Sequence, residues 1–158
     1  MGVEIERKFL VSGDAWRGLG QVTFLRQAYV SAEPERTVRV RIEGERAFLT
    51  IKSASVGISR GEWEYPIPLL DAQELLDKVC MQPSIEKNRH RIEFGGLVWE
   101  VDEFFGENAG LVVAEVELES ESQIFECPSW LGEEVSDDRR YANSNLMRHP
   151  YSQWGNRG

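Results

Sequence analysis

Cysteine and histidine are both scarce. The two cysteines, Cys80 and Cys127, stand far apart and form no CxxC pair, so zinc-ribbon and dithiol redox motifs are absent. Two unpaired thiols are the expectation, and with them a reducing, cytoplasmic location. The two histidines, His90 and His149, have no neighbours to complete a ligand set, which argues against a histidine-based metal site. No apolar run approaches the ~18–20 residues of a membrane span. The opening Met1-Gly2-Val3-Glu4-Ile5-Glu6-Arg7-Lys8 is charged at once, unlike a secretory leader, so no membrane partner is expected. Positive charge is in deficit: 18 Lys+Arg against 27 Asp+Glu give a net charge of −9. Proteins that grip nucleic-acid phosphates show the opposite balance, so no nucleic-acid partner is expected. What remains is a chain of 158 residues, 41% hydrophobic and 28% charged, the profile of one globular domain with a real core.

Alternating patterns predict a mainly β (α+β) protein. Eight runs read as strands: 3–11, 23–30, 37–43, 46–53, 62–67, 84–94, 97–105 and 110–119. Gly95-Gly96 and Glu43-Gly44-Glu45 have the chemistry of tight hairpin turns. Leucines at near-helical spacing predict a helix over 69–79 with Asp71 as its cap. Shorter helices are expected over 121–126 and over 137–147, the latter capped by Ser136 or Asp137. Residues 149–158, with Pro150 and two glycines, are expected to form a flexible tail beyond a domain spanning 1–148.

Residues i and i+2 of a strand share a face, and here the shared faces carry charge sorted by sign. Glu4/Glu6, Glu62/Glu64, Glu100/Asp102 and Glu115/Glu117 are acidic doublets; Arg39/Arg41 and Lys87/Arg89 are basic ones; Lys8 and Thr50/Lys52 extend the pattern. One such strand is ordinarily a solvated face. Doublets of like charge on nearly every strand are different, because a solvated face has no use for adjacent repulsion. Closing the sheet would gather them into a lattice suited to a highly charged, metal-bound ligand, with bases on phosphate oxygens and carboxylates on a hard divalent cation. Pattern alone leaves open which face points inward.

Taken in order, these motifs resemble the CYTH proteins, also called triphosphate tunnel metalloenzymes. Glu4-Ile5-Glu6-Arg7-Lys8 is similar to their ExExK signature. Arg39-x-Arg41, Thr50-x-Lys52, Glu62-x-Glu64, Lys87-x-Arg89, Glu100-x-Asp102 and Glu115-x-Glu117 are similar to the strand motifs that follow, and 130–143 resembles the closing segment. The likeness runs from about residue 2 to 148, and the strand Arg26-Gln27-Ala28-Tyr29 and the stretch 59–64 look most like the short bacterial inorganic triphosphatases. It implies an eight-stranded antiparallel β-barrel, a tunnel with a charged interior and a few peripheral helices.

The resemblance also implies hydrolysis of inorganic triphosphate to pyrophosphate and phosphate. Lys8, Arg39, Arg41, Lys52, Lys87, Arg89 and Arg139 would bind substrate, Glu4, Glu6, Glu115 and Glu117 would hold Mg²⁺ or alternatively Mn²⁺, and the proton of the water would go to a metal-bound hydroxide, a tunnel glutamate, or the catalytic pair Tyr29 and Lys87. Glu62, Glu64, Glu100 and Asp102 would balance the bases or place a second ion. A class IV adenylate cyclase, a thiamine triphosphatase and a non-catalytic polyphosphate- or nucleotide-binding module are the alternatives, since one fold hosts many chemistries. A homodimer is left open.

Overall fold

A computed structural model describes residues 2–155. Nine strands dominate it: β1 (Gly2–Val11), β2 (Gln21–Glu33), β3 (Arg36–Glu43), β4 (Arg46–Val56), β5 (Ser59–Ile67), β6 (Ile85–Phe94), β7 (Leu97–Phe104), β8 (Val112–Glu117) and β9 (Leu131–Glu134). Two α-helices, α1 (Leu69–Lys78) and α2 (Asn143–Arg148), and three 3₁₀ turns complete the elements. The sheet runs β5-β4-β3-β2-β6-β7-β8-β1-β9, and a further pairing of β5 with β1 closes the first eight strands into an antiparallel barrel. All eight expected strands are present. The hairpin between β6 and β7 turns on Gly95 and Gly96, both with positive φ (60° and 78°), the conformation a two-residue type I′ turn demands.

The N-terminal strand has three neighbours. Its first half, Gly2–Ile5, pairs with β5, and Glu6–Leu10 pairs with β8. Phe9 and Val11 then pair with the short β9, a strand the periodicity did not show because four residues are too few to establish alternation.

The barrel inverts the usual arrangement of polar and apolar faces. The outward sides of β2, β3 and β4 carry Ala28, Val40 and Ala47, which α1 covers with Ala72 and Leu76. The outward sides of β1 and β6–β8 carry Phe9, Ile92, Trp99, Val101, Ala114 and Val116. Trp16 covers them from the loop after β1, and Leu118, Phe125 and Trp130 from the segment after β8. The core is therefore a jacket outside the sheet, and the inward positions are free to be charged.

At one end of the lumen the inward positions change character. Following Lys8, Gln27, Lys87, Asp102 and Glu115, the next residue facing the same way is Leu10, Tyr29, Ile85, Phe104 and Val113. Against these pack Tyr141, Leu146, Met147 and Trp154 from the C-terminal segment. An apolar plug thus seals this end.

The helical expectations hold less well. Helix α1 matches, but its first turn is preceded by Pro68 and makes no side-chain cap bond, so Asp71 lies inside the helix rather than capping it. Residues 121–126 form turns and irregular chain instead of a helix; the run is too short and polar to bury a face, apart from Phe125. The segment 137–147 divides into a 3₁₀ turn at Arg139–Tyr141, where the Asp138 carboxylate accepts from the Arg140 amide, and α2. The expected flexible tail is docked as far as residue 154, because Trp154 is 8% exposed, packs edge-on against Tyr141 and Tyr151, and donates its indole N–H to His149 O at 3.1 Å. Both cysteines are free thiols, Cys80 buried and Cys127 exposed. Among the described residues no helix is long and apolar enough to cross a membrane.

Candidate active site in the barrel lumen

Eight basic and seven acidic side chains line a single cavity of about 250 Å³ inside the barrel. The bases are Lys8, Arg39, Arg41, Lys52, Arg60, Lys87, Arg89 and Arg91; the acids are Glu4, Glu6, Glu62, Glu64, Glu100, Glu115 and Glu117. The charged doublets point inward. Lys87 is 1% exposed, Arg89 7% and Glu115 6%. Glu64 and Glu117 are solvent-exposed and mark the open mouth opposite the plug.

Neighbouring strands place opposite charges side by side. The Lys52 ammonium bonds both Glu4 oxygens at 3.0 Å and lies 3.5 Å from Glu62. Glu64 takes Arg39 at 3.5 Å and Arg41 at 3.7 Å, and accepts from the Thr50 hydroxyl at 2.8 Å. Glu100 is 3.3 Å from both Arg89 and Arg91. Lys8 lies 3.8 Å from Glu115 and donates to Tyr141 O at 3.1 Å. Asp102 does not line the cavity. It is fully buried behind the wall, accepting from Lys87 at 2.7 Å and from Arg89 at 2.8 and 2.9 Å. It serves as a counter-ion holding two bases in place.

Two kinds of unbalanced charge mark where a ligand would sit. On the basic side, burial and the neighbouring Arg39 and Arg89 guanidinium groups bring Arg41 down to about 10. Burial likewise drives Lys87 down to about 8 against the pull of Asp102, with Arg89 adding repulsion. The Nε atoms of Arg39 and Arg41 are buried without a hydrogen-bond partner, and such donors need an acceptor. On the acidic side, burial together with the Glu115 and Glu4 carboxylates raises Glu6 well above the usual carboxyl range. Glu117 is raised by burial and by Glu4, Glu62 and Glu100. Glu115 goes the other way: burial opposes its charge, but Lys8 and a hydrogen bond from Glu6 hold it far below the usual range. The two neighbouring carboxyls are thus driven apart, Glu6 toward its neutral form and Glu115 toward its charged one.

These groups fit a phosphate chain accompanied by a hard cation. The bases and orphan N–H groups suit phosphate oxygens, and mutually repelling carboxylates suit a divalent ion that neutralises them. Among the described residues no cluster of three or more metal-ligating side chains is set up to hold an ion.

Every expected site residue lines the cavity except Asp102 and Arg139. Arg139 sits on the outer surface beside Ile58, Glu133 and Asp137, because the helix expected to carry it inward begins only at Asn143. The plug instead presents Ala142, Asn143 and Ser144 to the cavity. Tyr29 and Lys87 share the cavity, and their polar bonds go elsewhere: Lys87 to Asp102 and Asn143, the Tyr29 hydroxyl to Gln27 at 3.4 Å. Thr37, Arg60 and Arg91 were not singled out from the sequence, though each extends a recognised doublet by one i±2 step. Arg60 is further fixed by Ser53 O at 2.9 Å and Thr37 Oγ1 at 3.1 Å. Asn143 had no periodic signal to reveal it.

A closed antiparallel barrel with its charge inside and its core outside defines a class of tunnel proteins that handle polyanions. The chain belongs to the CYTH family, whose domain model matches residues 2–151. It is 50% identical to an inorganic triphosphatase of Acetivibrio thermocellus over 96% of this chain and 97% of that one. It is 38% identical to an inorganic triphosphatase of Nitrosomonas europaea over 90% of this chain and 95% of that one. The crystal structure of the inorganic triphosphatase NE1496 superposes with a TM-score of 0.66 at 35% identity, covering 91% of this chain and 97% of that one.

Proposed function

We propose that the protein hydrolyses inorganic triphosphate to pyrophosphate and phosphate in the lumen, with a divalent cation. One observation carries this reading: bases with unpaired N–H donors and mutually repelling carboxylates face the same blind cavity. The names of the relatives support it. The lining is almost wholly charged, with Tyr29 as its aromatic and Ala142 as its apolar member, which suits a phosphate chain better than a nucleobase or a thiazolium ring.

In this reading Lys8, Arg39, Arg41, Lys52 and Arg89 bind the phosphate oxygens, the arginines by paired N–H contacts and the lysines as point charges. Glu62, Glu64 and Glu100 orient those bases. Glu4, Glu6, Glu115 and Glu117 would hold Mg²⁺, or Mn²⁺ in its place, and the ion would neutralise phosphate charge and order the chain. Lys87, which burial brings down to about 8, takes the proton of the attacking water in its neutral form, and the Tyr29 hydroxyl steadies the reacting group. The free thiols fit a reducing cytosol.

Phosphate release from tripolyphosphate, ATP and thiamine triphosphate, each with Mg²⁺, Mn²⁺ or EDTA and with a parallel assay for cyclic AMP, tests the proposal. Tripolyphosphate is expected to turn over fastest and only with metal. Cyclic AMP formation, or no phosphate from tripolyphosphate under any condition, would overturn it.

A further inference from the structure

We infer that Asn143 is a positioning residue for Lys87, so that the C-terminal plug completes a reacting centre the barrel alone leaves unfinished. This rests on the triphosphatase reading for its kinetic consequences; its structural basis is independent.

The Lys87 ammonium lies between two acceptors, Asp102 Oδ2 at 2.7 Å and Asn143 Oδ1 at 3.1 Å. A charged lysine only donates, so it dictates that Asn143 turns its oxygen, not its nitrogen, toward Nζ. The same oxygen accepts from Gln27 Nε2 at 3.2 Å, and Gln27 Nε2 also reaches the Tyr29 hydroxyl oxygen at 3.4 Å. One amide orientation therefore sets the next, and Lys87 and Tyr29, the two groups placed at the reacting centre, are joined through Asn143 and Gln27. With its oxygen receiving from Gln27, the Tyr29 hydroxyl is free to direct its own hydrogen into the cavity.

The consequence for Lys87 is geometric. A neutral amine has two hydrogens and one lone pair in a tetrahedral arrangement. With Asp102 and Asn143 taking the two hydrogens, the lone pair is left the remaining direction, away from both. Without Asn143 the amine keeps one anchor and rotates about its last carbon–nitrogen bond. Asn143 is also neutral, which matters for the proton. The charged groups around Lys87 are Asp102 from β7, Glu115 from β8 and Arg89 from β6. From β2 come Gln27 and Tyr29, and the plug adds only uncharged Asn143 and Ser144. A carboxylate in place of the amide would fix the proton on Lys87.

A purely structural role explains these contacts poorly. The plug is held by Leu146, Met147 and Trp154, Asn143 caps no helix, and the network leaves Gln27 Oε1 buried and unpaired, which costs stability rather than adding it.

The test uses the full chain, with ¹⁵Nζ NMR titration of Lys87 in the metal-free protein and steady-state kinetics on tripolyphosphate. Asn143→Asp, nearly isosteric, is expected to raise the Lys87 midpoint by about one unit or more and to shift the rising limb of kcat against pH by the same amount. Asn143→Ala is expected to lower kcat about tenfold or more while KM stays within about threefold. A Lys87 midpoint unmoved in Asn143→Asp, or a kcat within about twofold in Asn143→Ala, would overturn the inference. If Asn143→Ala fails to fold, Asn143→Asp and Asn143→Ser decide it. If the wild type leaves tripolyphosphate intact, the functional reading fails, and the NMR titration still tells whether Asn143 governs Lys87.

Discussion

Replacing Asp102 with asparagine keeps the shape of the side chain and removes one charge, and the surroundings of Asp102 set the cost. The carboxylate is fully buried and accepts three hydrogen bonds, one from Lys87 and two from Arg89. An asparagine would turn an NH₂ group toward one of these donors and leave two buried cations without their counter-ion. Breaking a buried ion pair from one side costs about 3–5 kcal/mol. At this chain length each kcal/mol moves Tm by about 2–4 °C, so Asp102→Asn should lower Tm by roughly 6–20 °C. The penalty should also depend on pH, with a defined sign. In the wild type Lys87 loses its proton near 8, and without Asp102 that midpoint falls further. Between the two midpoints the folded variant has shed a proton that the folded wild type retains, while both unfolded chains carry it. The variant therefore gains stability on the wild type as pH rises through that window, and the Tm gap should narrow from about pH 6 to about pH 9. Thermal melts of the metal-free proteins by circular dichroism across this range read both quantities. A Tm loss under about 2 °C, or a gap that widens with pH, would refute the assignment of Asp102 as the shared counter-ion.

Arg41→Ala should raise KM for tripolyphosphate more than it lowers kcat, because Arg41 Nε is an unpaired donor available to ground and transition states alike; equal losses in kcat and kcat/KM would count against this. Glu6→Gln should abolish metal-dependent turnover yet raise the Tm of the metal-free protein by a few degrees, about 1 kcal/mol, since burial and carboxylate repulsion already disfavour the Glu6 charge; a lower Tm in calorimetry would contradict it. Arg139→Ala, outside the cavity, should leave kcat and KM within about twofold of wild type.

The lumen was legible in the sequence because strand alternation is a strict period of two, and acids and bases at i and i+2 announce a shared face before its direction is known. Arg39/Arg41 and Lys87/Arg89 each fix a whole strand's orientation, and the family likeness supplied the inward direction. The same rule reaches Thr37, Arg60 and Arg91, one step beyond the doublets that were read. It fails for Arg139 and Asn143, which lie where 3₁₀ and α turns succeed each other over a few residues, so a shift of one position rotates a side chain from lumen to solvent. Asp102 shows a further limit. Alternation puts it on the inner face, but only the packing of Lys87 and Arg89 above it decides that it lies behind the wall. Trp154 was misread because prolines and glycines signal turns without revealing that a large indole among them finds a pocket.

The way β1 is shared among β5, β8 and β9 has a bearing on how the chain reaches its native state. Most other strand neighbours follow one another directly in the sequence and β2 meets β6 across β3–β5 and α1, whereas Glu6 meets Glu117 and Phe9 meets Glu134 across most of the domain. Joining them is the loop closure with the greatest entropy loss, so closure of the ring belongs late in folding. β1 is made before the strands it pairs with, so it waits for partners still to come. An unpaired strand in that position invites association with other chains, and β1 carries Glu4, Glu6, Arg7 and Lys8 in succession. The charges that end up lining the lumen, Glu4, Glu6 and Lys8, thus also keep this strand hydrated and unassociated until its neighbours arrive.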